Sequence, residues 1–369
     1  MNRLFRWDQM GLFLLALAAG ILPFAVPEVC AAALREGLTL CSGPLLLSLF
    51  PFLVVSRLLV QCPESDLLAL PFRLAAWGIG IRTPCAARVL CIGFLGGFAP
   101  AASAAAQAVR TGQLTAEEAD ALLPACICSG PSFVVLTVGQ SLLGSAELGV
   151  LLFASQITAN YLTAALLNRF AGVRSVKPGS AAPASHAPPR LDEILADAAI
   201  TYCKLCGFIL FFRMLAAGAG ALLPAGAGTL CAILLEVCSG CDLASRTGRW
   251  GSLLCCAALS VQGLSVLLQV RTICPAEMTL HPLYRARILH LPLSLALFYL
   301  LLPGGEADVF STLPARVLLM RRVPPDCALL VFAVCCMAAC TLRSGIRQVE
   351  QKQMARNAGG CCINSKTLL

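Results

Sequence analysis

Five apolar runs lie on each side of one hydrophilic joint, and in each half one run is broken by glycine, proline and small polar residues. The first break is Gly96-Gly97-Phe98-Ala99-Pro100, followed by Ser103 and Gln107; the second is Gln262-Gly263-Leu264-Ser265, followed by Gln269. Hydrocarbon offers nothing to a free backbone N–H or C=O. A broken helix at membrane depth therefore persists only against protein or a water-filled cavity. Paired breaks in two halves of a polytopic chain point to a buried binding site.

Composition agrees with this class. Only 12% of residues are charged, 58% are hydrophobic, and the mean hydropathy is +0.82, whereas soluble domains are about a quarter charged. The chain reads as an all-α, polytopic integral membrane protein whose first partner is the lipid bilayer. At about 20 residues per crossing there is room for roughly eight to ten spans. The net charge of +8 resides in loops and tails, so it reads as a determinant of topology and a contact for anionic lipid. No motif for nucleic acid is present, and none is expected as a partner.

Cysteine is abundant, with 21 residues, most of them inside apolar runs (Cys126, Cys128, Cys255, Cys256, Cys335, Cys336). Buried free thiols act there as small hydrophobes. Two C-x-x-C spacings occur, Cys203/Cys206 and Cys238/Cys241, but His186, His281 and His290 are scattered. The reading is structural thiols, with no metal site and no cofactor.

The runs fall near 10–27, 39–61, 84–109, 120–143 and 147–168, then 199–224, 226–244, 250–272, 287–303 and 325–342. Arg3 and Arg6 before the first run resemble the start of a signal sequence. Because further spans follow at once, an uncleaved first helix is expected. Two membrane halves, 1–168 and 194–342, are expected around a Pro/Ser-rich linker at 169–193, with a basic tail at 343–369.

Charge then selects a topology. Arg3 and Arg6, the linker's Arg169, Arg174, Lys177 and Arg190, and the tail's Arg343, Arg347, Lys352 and Arg356 should all be cytoplasmic. Five runs per half is odd, and parity is restored when each broken run is a re-entrant hairpin. The expectation is about eight crossings plus two hairpins in two pseudo-repeated halves. Arg82 and Arg88 would then share a side with Arg110, and Arg246 and Arg249 with Arg271. Arg316, Arg321 and Arg322 dissent. Residues 66–81 read as an interfacial helix; were they to cross, the first hairpin would enter from the other face and the halves would be inverted. Ile127-Cys128-Ser129-Gly130 recurs as Val237-Cys238-Ser239-Gly240, a faint sign of repetition.

Several stretches in the same order carry a family likeness: Leu49-Phe50-Pro51-Phe52-Leu53-Val54, Gly96-Gly97-Phe98-Ala99-Pro100-Ala101-Ala102, Arg110-Thr111-Gly112-Gln113-Leu114-Thr115-Ala116-Glu117-Glu118-Ala119, Ser129-Gly130-Pro131-Ser132-Phe133-Val134, Leu235-Glu236-Val237-Cys238-Ser239-Gly240 and Gly263-Leu264-Ser265-Val266-Leu267-Leu268-Gln269-Val270. In these the chain resembles the YlbJ-like sporulation integral membrane proteins, which contain a nucleoside-recognition or Gate-type membrane domain. It departs from their pattern in having Phe98-Ala99-Pro100 for Tyr-Pro, and Cys126-Ile127-Cys128 where asparagine is frequent. The resemblance implies a multi-pass bacterial cell-membrane protein acting in endospore formation, at the cortex-building stage. It supplies no biochemical activity.

The candidate site follows from the residues. Glu236 lies in an otherwise apolar stretch, and a carboxylate at membrane depth faces a cavity or a partner. It either contacts a cation, proton or polar solute, or pairs with Lys204 or Arg213 as structure. Ser129, Gly130, Pro131 and Ser132 either free backbone groups for a ligand or permit close helix packing. With Ser239 and Gly240, and with Gly97, Pro100, Ser103, Gln107, Gln262, Gly263, Ser265 and Gln269, they are expected to converge around Glu236 on a small polar solute or ion. No H-E-x-x-H, G-x-S-x-G or P-loop lysine is present, so no enzyme is expected. His281 and His290 with Arg285 and Arg287 read as a basic interfacial segment. The alternative to translocation is a membrane scaffold for spore-envelope assembly, with further copies of itself or other sporulation membrane proteins as partners.

Overall fold

The computed structural model describes residues 7–61, 63–172 and 191–302, and every regular element among them is helical. The apolar run at 325–342, the basic tail, Arg3 and Arg6, most of the linker, and Arg316, Arg321 and Arg322 lie outside the described residues.

The chain opens with α1 (Trp7–Ala25) and α2 (Pro27–Ser42), whose axes meet at 110°. Proline at the first position of α2 disfavours helical backbone in the preceding Val26. Helix α3 (Pro44–Gln61) follows, and then the short α4 (Leu70–Gly78). Nine residues rise only about 14 Å, too little to cross, and Leu70, Leu74 and Trp77 are exposed on its outside.

Next come α5 (Pro84–Gly96), α6 (Phe98–Arg110) and α7 (Ala116–Cys126). A reciprocal capping box between Thr115 and Glu118 starts α7. Beyond an irregular stretch a π-helical segment, Ser132–Leu142, leads into α8 (Ala146–Ala171). The second half holds α9 (Leu191–Leu222), α10 (Ala225–Leu235), α11 (Val237–Ser245), α12 (Gly251–Val261), α13 (Gly263–Ile273) and α14 (His281–Leu301).

Among the described residues three stretches are long and apolar enough to cross a membrane: Ala146–Ala171, Leu191–Leu222 and Gly248–Ile273. The bent pair α1–α2 makes a fourth if counted as one span.

The breaks differ in what the chain does at them. A Cβ on Gly93 would lie 3.2 Å from the Cβ of Ala101, although eight residues of continuous helix span about 12 Å. Helices α5 and α6 therefore fold back on each other at Gly97. The same test applies at Glu236: a Cβ on Gly240 would lie 2.8 Å from the Cα of Ile233, where a continuous helix separates them by about 10 Å. The run 226–244, expected as one crossing, is thus a hairpin of α10 and α11.

At Gln262 the opposite holds. Residues Gly248–Ile273 form one span through the break, so the hairpin expected there is not found. In the first half α7 and the π-helical segment are likewise separated by a break, at 127–131. Helix α8 runs antiparallel along both. Asn168 donates to the Ala121 carbonyl at 3.1 Å, Asn160 donates to Ile127 at 3.2 Å, and Gly149 packs on Gly139.

The two hairpins open at opposite ends of the α12–α13 span. Arg110, at the base of the first, reaches the Ile273 carbonyl at 3.5 Å, whereas α11 leads directly into the start of that span. Arg246 and Arg249 consequently sit at the other end from Arg271, which corrects the expectation that they share a side. The four-residue echo is also not an equivalence: Ser129-Gly130 lies in a broken span, Ser239-Gly240 in the second arm of a hairpin.

Candidate functional site

Each hairpin tip is seated against the break of the span that follows it. In the first half, Gly97 has φ of +81° and a Cβ there would fall 2.7 Å from the Gly130 nitrogen and 3.2 Å from the Cys128 carbonyl oxygen. In the second, Gly263 has φ of +71° and its Cβ would fall 2.9 Å from the Glu236 nitrogen and from Leu235. Only glycine meets both demands, a left-handed backbone and a neighbour at backbone distance. These are two tip-to-break junctions.

Glu236 is buried, at 2% exposure. Its carboxylate accepts from the backbone N–H groups of Cys238 at 2.8 Å and Ser239 at 2.7 Å, and from the Ser239 hydroxyl at 2.8 Å. It is the N-cap of α11, a negative charge on the helix end that favours one. Neither expected partner bonds to it: Arg213 pairs with Glu36 at 2.8 Å and interacts with Glu236 only through space, and Lys204 lines a different pocket. Glu236 therefore shapes the hairpin tip, and Ser239 assists it. Gly240 is the close-packing point between the arms.

Gln262 is left open at both polar atoms of its amide. It adopts φ of +62°, is 1% exposed, and neither its amide nitrogen nor its amide oxygen has a partner among the described residues. Buried polar groups are almost always bonded. One helical turn and two turns further, Ser265 accepts from the Gln269 amide nitrogen at 2.8 Å, and the Gln269 oxygen is again without a partner.

The first half repeats this spacing. Pro100, Ser103, Gln107 and Arg110 on α6 follow a three-four-three spacing that Gln262, at the N-cap of α13, and Ser265, Gln269 and Thr272 on α13 repeat; within each helix this spacing keeps the residues on one face. Helices α6 and α13 pack side by side, and both start at a junction. Of the remaining expected residues, Ser129 is buried at the first junction, Gly130 and Pro131 are half-buried, and Ser132 is exposed and faces away.

The two junctions do not meet at Glu236. They meet at Arg287. Its guanidinium donates to the Ile127 carbonyl at 2.7 Å, to the Ser260 carbonyl at 3.4 Å and to Asn160 at 3.4 Å. Ile127 belongs to the first broken span and Ser260 to the second, so one side chain from α14 ties both. Arg287 is 8% exposed and His290 is 1% exposed, which corrects their reading as an interfacial segment. Helix α14 begins at His281, six residues before the apolar run expected at 287–303.

Around them lies a buried polar network. Gln156 donates to the Ser260 hydroxyl at 3.0 Å, Ser260 and Ser294 share a 2.5 Å hydrogen bond, and His290 meets the Gln156 carbonyl at 3.2 Å. Sequence reading missed this cluster. Its signal was periodic: Gln156, Asn160 and Thr163 in one run, and Arg287, His290 and Ser294 in another, each mark one face of a helix.

Among the described residues no three His, Cys, Asp or Glu side chains group so as to hold a metal ion. A pocket of about 530 Å³ between the outer faces of α12 and α14 is lined by Trp250, Leu253, Leu254, Ala257, Leu295 and Tyr299 and has no part in the junctions. No protein-family model, no curated protein and no solved structure matches this chain.

Proposed function

We propose that the protein binds a small polar solute at the second junction and carries it across the cell membrane, with the α6–α13 seam as its path. The observation that carries this reading is Gln262, a buried amide whose donor and acceptor both lack a protein partner at the meeting of a hairpin tip and a broken span. Broken backbone and open polar groups at membrane depth require polar company.

The arrangement of elements supports the same reading. A helix, a hairpin, a broken helix and a helix follow one another as α3, α5/α6, α7 with the π-helical segment, and α8. They do so again as α9, α10/α11, α12–α13 and α14. The second set enters from the opposite face. In this reading the halves are inverted pseudo-repeats, the architecture in which binding at the midplane is coupled to alternating access. The basic ends at Arg57, Arg88, Arg110 and Arg271 mark the cytoplasmic face. The setting, taken from the likeness to the YlbJ-like proteins, is endospore formation. A scaffold would not need an open amide at 1% exposure.

The test compares the polar metabolites of spores formed with the natural protein, without it, and with Gln262→Leu at equal membrane level. One solute missing in the last two and present in the first is the expected result. Spores of the Gln262→Leu strain identical to the natural ones would leave the scaffold as the better account.

A further inference from the structure

A second pocket lies at the base of the first hairpin, where α6 and α13 end. It has a volume of about 150 Å³ and is walled by α3, α6, α9 and α13. Arg57, Arg110 and Lys204 line it against a single carboxylate, Asp197. That carboxylate is already engaged, because Arg57 forms an ion pair with it. Arg57 is buried and fixed on two further sides, donating to the Ser103 and Thr201 hydroxyls at 3.3 Å each.

The other two cations are held loosely. Arg110 makes one long contact, 3.5 Å to the Ile273 carbonyl, and Lys204 has no hydrogen-bond or ion-pair partner among the described residues. Ser103 accepts from Arg57, which leaves its own O–H free to donate. The pocket thus offers two spare cationic heads and a hydroxyl donor over a braced guanidinium. Guanidinium forks and ammonium groups in this combination match the oxygens of a phosphate. The ends of α6 and α13 put the pocket at the membrane surface, where Lys and Arg interact with phosphate headgroups.

We infer that this pocket binds a phosphate group at the membrane surface, held by Arg110 and Lys204 over the Arg57–Asp197 pair. The proposal is independent of solute transport at Gln262.

Two sources could supply the phosphate, a phospholipid headgroup or a soluble phosphate, and the experiment has an arm for each. The full chain is purified in neutral detergent and stripped of lipid. Native mass spectrometry then follows retention of phosphatidic acid and phosphatidylglycerol relative to phosphatidylcholine, and thermal unfolding follows a titration with inorganic phosphate. The test variant is Arg110→Gln with Lys204→Gln, both at exposed positions; the control is Arg110→Lys with Lys204→Arg. Anionic-lipid retention that weakens about tenfold or more in the test variant and persists in the control identifies a headgroup site. A rise in Tm with inorganic phosphate that is lost in the test variant and kept in the control identifies a soluble phosphate. If neither probe distinguishes the natural protein from the test variant, the proposal is overturned.

Discussion

Arg287 donates to the carbonyl of Ile127 at 2.7 Å, a bond that runs from α14 into the first broken span. The same guanidinium reaches Ser260 in the second broken span. An arginine at this depth is costly unless its donors are used. Here its two terminal nitrogens are used by carbonyls of both breaks, while Nε has no partner among the described residues, so the charge serves to hold the two halves in register.

Replacing Arg287 by methionine keeps the volume and removes that tie. The Ser260 carbonyl loses a donor and Ile127 retains only Asn160. The expected outcome is a loss of about 1–3 kcal/mol, read as a lower Tm in detergent. Arg287→Lys should recover part of it, since one ammonium cannot reach both carbonyls with a fork. An unchanged Tm in Arg287→Met would contradict the clamp.

The junction glycines give a second prediction. Gly97→Ala and Gly263→Ala place a methyl group at φ above +70° and within 3 Å of backbone. Gly144 has φ of +74° with nothing within 4 Å, so Gly144→Ala carries the backbone strain alone, about 1–2 kcal/mol. Thermal unfolding should rank Gly97→Ala and Gly263→Ala clearly below Gly144→Ala. Equal losses would show that the tips are not closely seated.

Glu236 is expected to act as a cap first. Glu236→Ala removes three hydrogen bonds at the start of α11 and should cost about 1–2 kcal/mol, with the loss read by thermal unfolding. Ser239→Ala removes one of the three and should cost less. Full stability in Glu236→Ala would mean that the hairpin tip does not depend on its cap.

The breaks at Gly97 and at Gln262–Gly263 were legible in the sequence because glycine, proline and amides stand out in an apolar run. What the chain does at a break was not. Gln262 continues a span while Glu236 reverses one, yet the run around Glu236 carries no proline or glycine at its turn. The reversal depends on a carboxylate capping the next helix and on Gly240 admitting the backbone of Ile233. These are contacts of the folded chain, invisible to composition. Arg287 and His290 were misread for a related reason: they stand at the edge of an apolar run, but α14 starts earlier and carries them inside. Helix α2 escaped notice because Glu28, Arg35 and Glu36 lower its hydropathy, whereas Arg213 of α9 neutralises one of them.

Opposed hairpins make a topological prediction. In a cysteine-depleted background, single cysteines at Thr247 and Thr279 should react with an impermeant thiol reagent from opposite faces of the membrane. Labelling of both from one face would restore the same-side arrangement of Arg246 and Arg271 and remove the inverted repeat.

The central claim is that Gln262 faces a hydrated site to which a polar solute comes. A cysteine placed at Gln262 in the cysteine-depleted protein tests it in sealed vesicles, with small hydrophilic thiol reagents added to either side. The account predicts reaction at position 262 from both faces, despite 1% exposure in the structure, because alternating access opens the junction to each side in turn. A thiol at 262 that stays unreactive from both faces, in a variant that folds and inserts normally, would contradict it.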